Sequence, residues 1–152
     1  MQFGQSQFHL GACADTAAGM SAILTDVFAL YLKTKNFHWH MSGPDFRDYH
    51  LLFDEQADQL YAMTKTGGSR LCSIVRLAPI HGVKDDDADY VDPLDMLAEL
   101  REDNQALARR LREVRDLVND CREITAASLI DSLIDETERR TWFLSESSRS
   151  VD

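Results

Sequence analysis

The chain has 152 residues, enough for one buried core and too few to divide readily into two. Hydrophobic residues make up 44% and charged residues 28%, the profile of a globular protein, and no apolar run approaches the ~20 residues that cross a bilayer, so no membrane partner is expected. Sixteen basic against twenty-six acidic residues leave a formal charge of −10, which repels nucleic-acid phosphates and favours cations as ligands.

Apolar residues at helical spacing predict a first helix from about Asp15 to Trp39, with Met20, Ile23, Leu24, Val27, Tyr31 and His38 on one stripe. Residues 1–14 read as an N-terminal tail. The first 30 residues hold no Lys or Arg, so no secretory leader is expected and the cytoplasm is the expected location. Gly43-Pro44 reads as a turn, with Asp45 as N-cap of a second helix that carries Phe46, Tyr49, Phe53, Ala57, Leu60 and Tyr61 inward. Gly67-Gly68 then opens a long connection to about Val91, with room for a short helix near Leu71 to Leu77 and an acidic run at Asp85-Asp86-Asp87. Asp92-Pro93, a capping residue before a proline at the first helical position, starts a third helix along Leu97, Leu100, Leu107, Leu111, Val114 and Val118. A break from Asp120 to Ile124 leads into a fourth helix with Ile130, Leu133, Ile134 and Leu144 facing in, and residues 147–152 form a C-terminal tail. Short turn, long crossover, short turn describes an all-α, ferritin-like four-helix bundle in one domain, residues 1–152. Cys13, Cys72 and Cys121 are isolated, form no CxxC knuckle and read as small reduced hydrophobes.

On the second helix, with Phe46 at zero, His50 falls at about 40° and Asp54 at about 80°, adjacent turns of one face. On the first helix His38 shares the angle of Met20 and also points inward. Imidazole nitrogen with carboxylate oxygen is a mixed donor set suited to iron. The same three residues are equally readable as hydrogen-bonded core and edge residues, and their spacing does not choose between the two.

The run Lys35-Asn36-Phe37-His38-Trp39-His40-Met41-Ser42-Gly43-Pro44-Asp45-Phe46, followed by His50 and Phe53-Asp54-Glu55, resembles the Dps-type mini-ferritins, the DNA-binding proteins from starved cells. Val91 to Leu100 (VDPLDMLAEL) and Asp135 to Leu144 (DETERRTWFL) are similar to the same family, so the resemblance covers nearly the whole chain. It implies a homo-oligomeric cage of twelve chains around an iron-oxide store. It also implies ferroxidase-type oxidoreductase activity, Fe(II) passing to Fe(III) with hydrogen peroxide, or O2, as oxidant at centres shared across a two-fold interface. His38, His50 and Asp54 match the family's ligands from one chain. Trp39 matches a tryptophan beside the centre able to donate an electron, and Trp39 and Trp142 read alternatively as aromatic anchors at subunit contacts.

One part of the family pattern is missing. Members continue the second helix with an Asp-x-x-x-Glu pair that completes a neighbour's centre, whereas Thr64 here is followed by Lys65-Thr66-Gly67-Gly68, as though about nine residues were absent. Counted without a gap, Lys65 and Ser69 occupy the two acid positions. Nine residues at 1.5 Å each is on the order of 13 Å of helix. Weak iron binding, slow oxidation, or zinc in the site would follow, and a cage with impaired or absent ferroxidase activity is the alternative function. Asp58, one turn beyond Asp54, reads as a substitute ligand or as a solvent-facing carboxylate. Asp120, Glu123, Asp131 and Asp135 read as the acidic lining of an iron-entry pore or as a solvated face. The Lys-rich tails with which family members bind DNA have no counterpart in Met1 to Ala14 or Glu146 to Asp152, where Arg149 is the only Lys or Arg, so DNA binding is not expected.

Overall fold

The computed structural model describes residues 3–66, 91–122 and 124–149, with side chains from Asp15 onward. Among these residues there are four helices and no strand: α1 (Phe3–His40), α2 (Phe46–Thr66), α3 (Pro93–Cys121) and α4 (Ile124–Ser147). None of them is long and apolar enough to cross a membrane. The short helix expected at Leu71 to Leu77, the Gly67-Gly68 break, the Asp85-Asp86-Asp87 run, Ser69, Cys72 and Glu123 lie outside the described residues.

Helix α1 begins twelve residues ahead of the expected start near Asp15. Between Phe3 and Ala14 there is no proline or β-branched residue, and Gly4 and Gly11, which cost about 1 kcal/mol each, weaken the helix without ending it. It ends at His40, and the turn that follows uses Gly43 at φ 113°, a conformation that favours glycine. Phe46 N–H closes the turn on Gly43 O at 3.2 Å, and Asp45 O accepts from Tyr49 N–H at 3.1 Å, which puts Asp45 at the expected helix start. Asp92 caps α3 as expected, its side chain accepting from Leu94 N–H at 2.9 Å. At the far end Arg122 adopts a left-handed φ of 58° and donates its N–H to Asn119 O at 3.1 Å, so the break before α4 is tighter than the expected Asp120-to-Ile124 span.

The bundle forms because α1 packs on both α2 and α3, and α3 packs on α4. Leu30, Phe53, Leu60, Leu100, Leu111 and Ile130 are among its fully buried side chains, each stabilising the fold by about 1.5–3 kcal/mol relative to exposure. The α3 seam is buried at every position read from the sequence. On α2 two positions depart from it: Phe46 is 44% and Tyr61 46% exposed. Phe46 sits in the first turn of α2, beyond the cover of the core, and Tyr61 lies at the edge of the buried stripe, its ring 5.5 Å from that of Tyr31. Ion pairs brace the outside, with Lys33 reaching Glu99 (3.1 Å) and Asp103 (2.8 Å), and Arg110 reaching Asp26 (2.6 Å).

A guanidinium also lies in the core. Arg140 is 1% exposed; its Nε donates to Asn104 Oδ1 at 3.0 Å and its Nη2 to Thr137 Oγ1 at 2.9 Å and Met63 Sδ at 3.2 Å. One side chain of α4 thereby ties α2 and α3 together. Cys121 is buried with its sulfur 3.7 Å from Thr16 Oγ1, in keeping with its reading as a small core residue.

Candidate metal centre

The last turn of α1 presents His38, and two successive turns of α2 present His50 and Asp54. Because the Gly43 turn folds α2 back along α1, the three residues meet. The imidazoles stack with centroids 3.7 Å apart and planes 27° from parallel. Trp39 sets its ring edge-to-face on His38 at 5.1 Å, and Phe46 lies 4.9 Å from His50 on the outer side.

The nitrogens have distinct surroundings. His50 Nδ1 lies 3.1 Å from the main-chain carbonyl of His38. A carbonyl only accepts, so Nδ1 carries the proton and Nε2 keeps its lone pair for a ligand, the usual second contact of a metal-binding histidine. His38 is 6% exposed, and its Nδ1 is buried with no hydrogen-bond partner among the described residues. Its Nε2 stands 3.7 Å from Asp54 Oδ1. That is too long for a hydrogen bond, and about the spacing of two ligand atoms that each hold one ion at ~2.0–2.2 Å. Burial holds His38 below its ordinary value of 6.5, with His50 adding to the depression and Asp54 opposing it. The imidazole therefore favours its neutral, ligating form.

An ammonium reaches the same carboxylate. Lys35 Nζ lies 3.0 Å from Asp54 Oδ1, and this hydrogen bond holds the Asp54 carboxyl below the usual carboxylate range while raising Lys35. Sequence reasoning missed Lys35, although it precedes His38 by three residues and so shares its face of α1.

Within the chain the donor atoms of His38, His50 and Asp54 do not converge on one point. Among the described residues no group of three or more His, Cys, Asp or Glu side chains is poised around a common position. His50 instead lies over the face of His38, and Lys35 engages the acid. Asp58 is exposed and its charge acts on Lys35, while the Lys65 ammonium sits over the Tyr61 ring at 4.7 Å. Of the pore candidates, Asp131 is bound by Arg115 at 2.7 and 3.2 Å, which lowers its carboxyl, while Asp120 and Asp135 are exposed. Trp142 is 59% exposed and packs edge-to-face on Phe143 at 5.0 Å, in a groove between α3 and α4 with Arg109 and Arg112.

A family model described as a ferritin-like domain matches residues 17–149. The chain is 28% identical over 130 residues to a low temperature-induced protein of Nostoc, covering 80% of this chain and 73% of that one. It is 26% identical over 132 residues to DNA protection during starvation protein 1 of Deinococcus radiodurans, covering 80% and 62%. Among solved structures, Dps from Thermosynechococcus elongatus superposes with a TM-score of 0.80 at 21% identity, over 95% of this chain and 96% of that one. An archaeal Dps homologue from Halobacterium salinarum gives 0.80 at 20% identity, over 93% and 83%. Both structures share the fold described above.

Proposed function

The chain belongs to the ferritin-like domain family, in its Dps-type mini-ferritin branch, and from that premise we propose that it stores iron inside a shell of identical chains. We extend the proposal to the chemistry: Fe(II) is a substrate, oxidised at centres to which His38, His50 and Asp54 contribute and which a neighbouring chain helps to enclose. The observation that carries this reading is the buried, unpartnered nitrogen of His38 on a ring whose other nitrogen faces Asp54 at 3.7 Å. Two imidazoles and a carboxylate supply the mixed donors suited to iron. Each Fe(II) gives up one electron and each peroxide takes up two, ending with two protons as water. On this reading Trp39, in edge contact with His38, supplies an electron to the oxidant when iron is short.

The same geometry favours a second reading, a shell with impaired oxidation. Lys35 occupies Asp54, and on an ungapped count Lys65 stands where the family resemblance implies an acid. Mixing purified protein with ferrous iron and peroxide, and following the ferric absorbance, separates the two. Rapid oxidation lost in His38→Ala and His50→Ala supports the first, and oxidation at the rate of protein-free iron leaves the second.

Leu32 and Trp39, 43% and 74% exposed on α1, suit a contact between copies more than solvent, in keeping with a twelve-chain assembly. Light scattering that finds only monomer or dimer at micromolar concentration would overturn that part. Iron entry past Asp131 and Asp135 is tested by neutralising both, which should slow uptake. With a charge of −10 per chain, plasmid DNA should not be retained at about 150 mM salt, near which the screening length is ~8 Å.

A further inference from the structure

The ammonium of Lys35 holds the oxygen that a metal at the candidate centre requires. Lys35 Nζ donates to Asp54 Oδ1 at 3.0 Å, and the same Oδ1 faces His38 Nε2 at 3.7 Å. An ion bound to that oxygen at ~2.0–2.2 Å stands at most about 5 Å from the ammonium, inside the ~8 Å screening length. Like charges at that spacing repel. A lysine is protonated at neutral pH with or without this bond, so the ammonium yields to a metal by moving.

A second carboxylate lies one helical turn along. Asp58 follows Asp54 by four residues on α2, which puts their Cβ atoms roughly 5–6 Å apart on one face. Asp58 is exposed, and its charge acts on Lys35, as does that of Tyr31 one turn back on α1. The Lys35 side chain is 28% exposed and Asp54 47%, so the ammonium borders solvent, and its four-carbon stem is flexible. Other nearby ammonium groups are engaged elsewhere. Lys33 is held on the α3 side by Glu99 and Asp103, and Lys65 lies over the Tyr61 ring.

We propose that Lys35 is a displaceable counter-ion of the centre, which moves from Asp54 to Asp58 when a divalent cation takes Asp54 Oδ1. The inference rests on the metal-centre reading above and assigns Asp58 to the ammonium, not to the metal. Before the exchange, Lys35 keeps Asp54 ionised beside His38. After it, Asp58 holds the ammonium in an exposed ion pair one turn away, so the metal does not work against an unpaired like charge. Asp58 thereby sets how readily the centre loads without touching the ion.

Co(II) binding to the full-length protein, followed by calorimetry, tests this in a cycle of variants. Asp58→Asn should weaken Co(II) binding roughly three-fold, the scale of one exposed ion pair, and Asp58→Glu should keep the parent affinity. In the Lys35→Met background Asp58→Asn should have no such effect. No loss in Asp58→Asn overturns the proposal. The same loss with and without Lys35 also overturns it, because Asp58 then acts on the metal directly. Co(II) binding that His38→Ala leaves unchanged removes the centre itself and the exchange with it, a failure distinct from the first two. Crystals grown with Co(II) give a direct reading. Lys35 Nζ within ~4 Å of an Asp58 carboxylate oxygen is the expected result, and Lys35 still on Asp54 Oδ1 beside bound cobalt refutes the exchange.

Discussion

His50 Nδ1 donates to the carbonyl oxygen of His38 at 3.1 Å while the two rings stack at 3.7 Å, so the residue that stitches α2 to the end of α1 also orients the candidate ligand set. The contact fixes the His50 tautomer, and the stack fixes the plane of His38. The helix pair thus sets the arrangement of the two imidazoles.

Changing His50 should therefore act twice. His50→Phe keeps an aromatic ring over His38 and removes both nitrogens, so helix content should be kept while loss of the bond to the His38 carbonyl lowers stability by about 0.5–1.5 kcal/mol. Binding of Co(II), read by its visible spectrum, should weaken by at least ~10-fold, since losing even an outer partner of a ligand costs about 10–100-fold. Unchanged Co(II) affinity in this variant would remove His50 from the centre.

Lys35→Met takes the ammonium away from Asp54 Oδ1 and leaves the stem packing in place. Divalent metal should then bind more tightly than in the unaltered protein, by calorimetry with Co(II). The double variant with Asp54→Asn should lose the gain. Equal affinity with and without Lys35 would mean that the carboxylate exchanges its partner freely.

The depressed His38 gives a pH dependence with a definite sign. Its unfolded value is near 6.5 and its folded value lies lower, so below 6.5 the unfolded chain takes up the proton first. Stability should fall as pH drops from about 6.5 through the lower folded value, then level off. In His38→Gln that part of the slope should vanish in urea titrations between pH 7 and 5, and an identical slope in both proteins would contradict it.

Asn104 provides the acceptor for the buried Arg140 Nε. Asn104→Leu should cost about 1.5–3 kcal/mol, the range for a hydrogen bond to a charged group. Adding Arg140→Met should recover most of this, since it removes the buried charge together with its Asn104 partner, while Thr137 Oγ1 keeps its bond to Leu133 O. Urea unfolding of the two variants against the parent measures both steps.

Much of this protein is determined along the chain. Asp92 followed by Pro93, and Gly43 followed by Pro44, end and start helices through their own backbone chemistry, and the α3 seam repeats at helical spacing because a helix places those side chains on one face. The same periodicity put His38, His50 and Asp54 toward a common side. The backward extension of α1 escaped notice because permissive residues carry no start signal, and Phe46 and Tyr61 were misjudged because a helical angle does not say where the neighbouring helix stops. Only the tertiary structure brought Lys35 to Asp54, stacked His50 on His38, and closed Met63, Asn104 and Thr137 around Arg140. Periodicity fixes the angle of a side chain on its own helix, whereas partners on other helices depend on how those helices turn and slide against one another, which is settled by packing of the whole core.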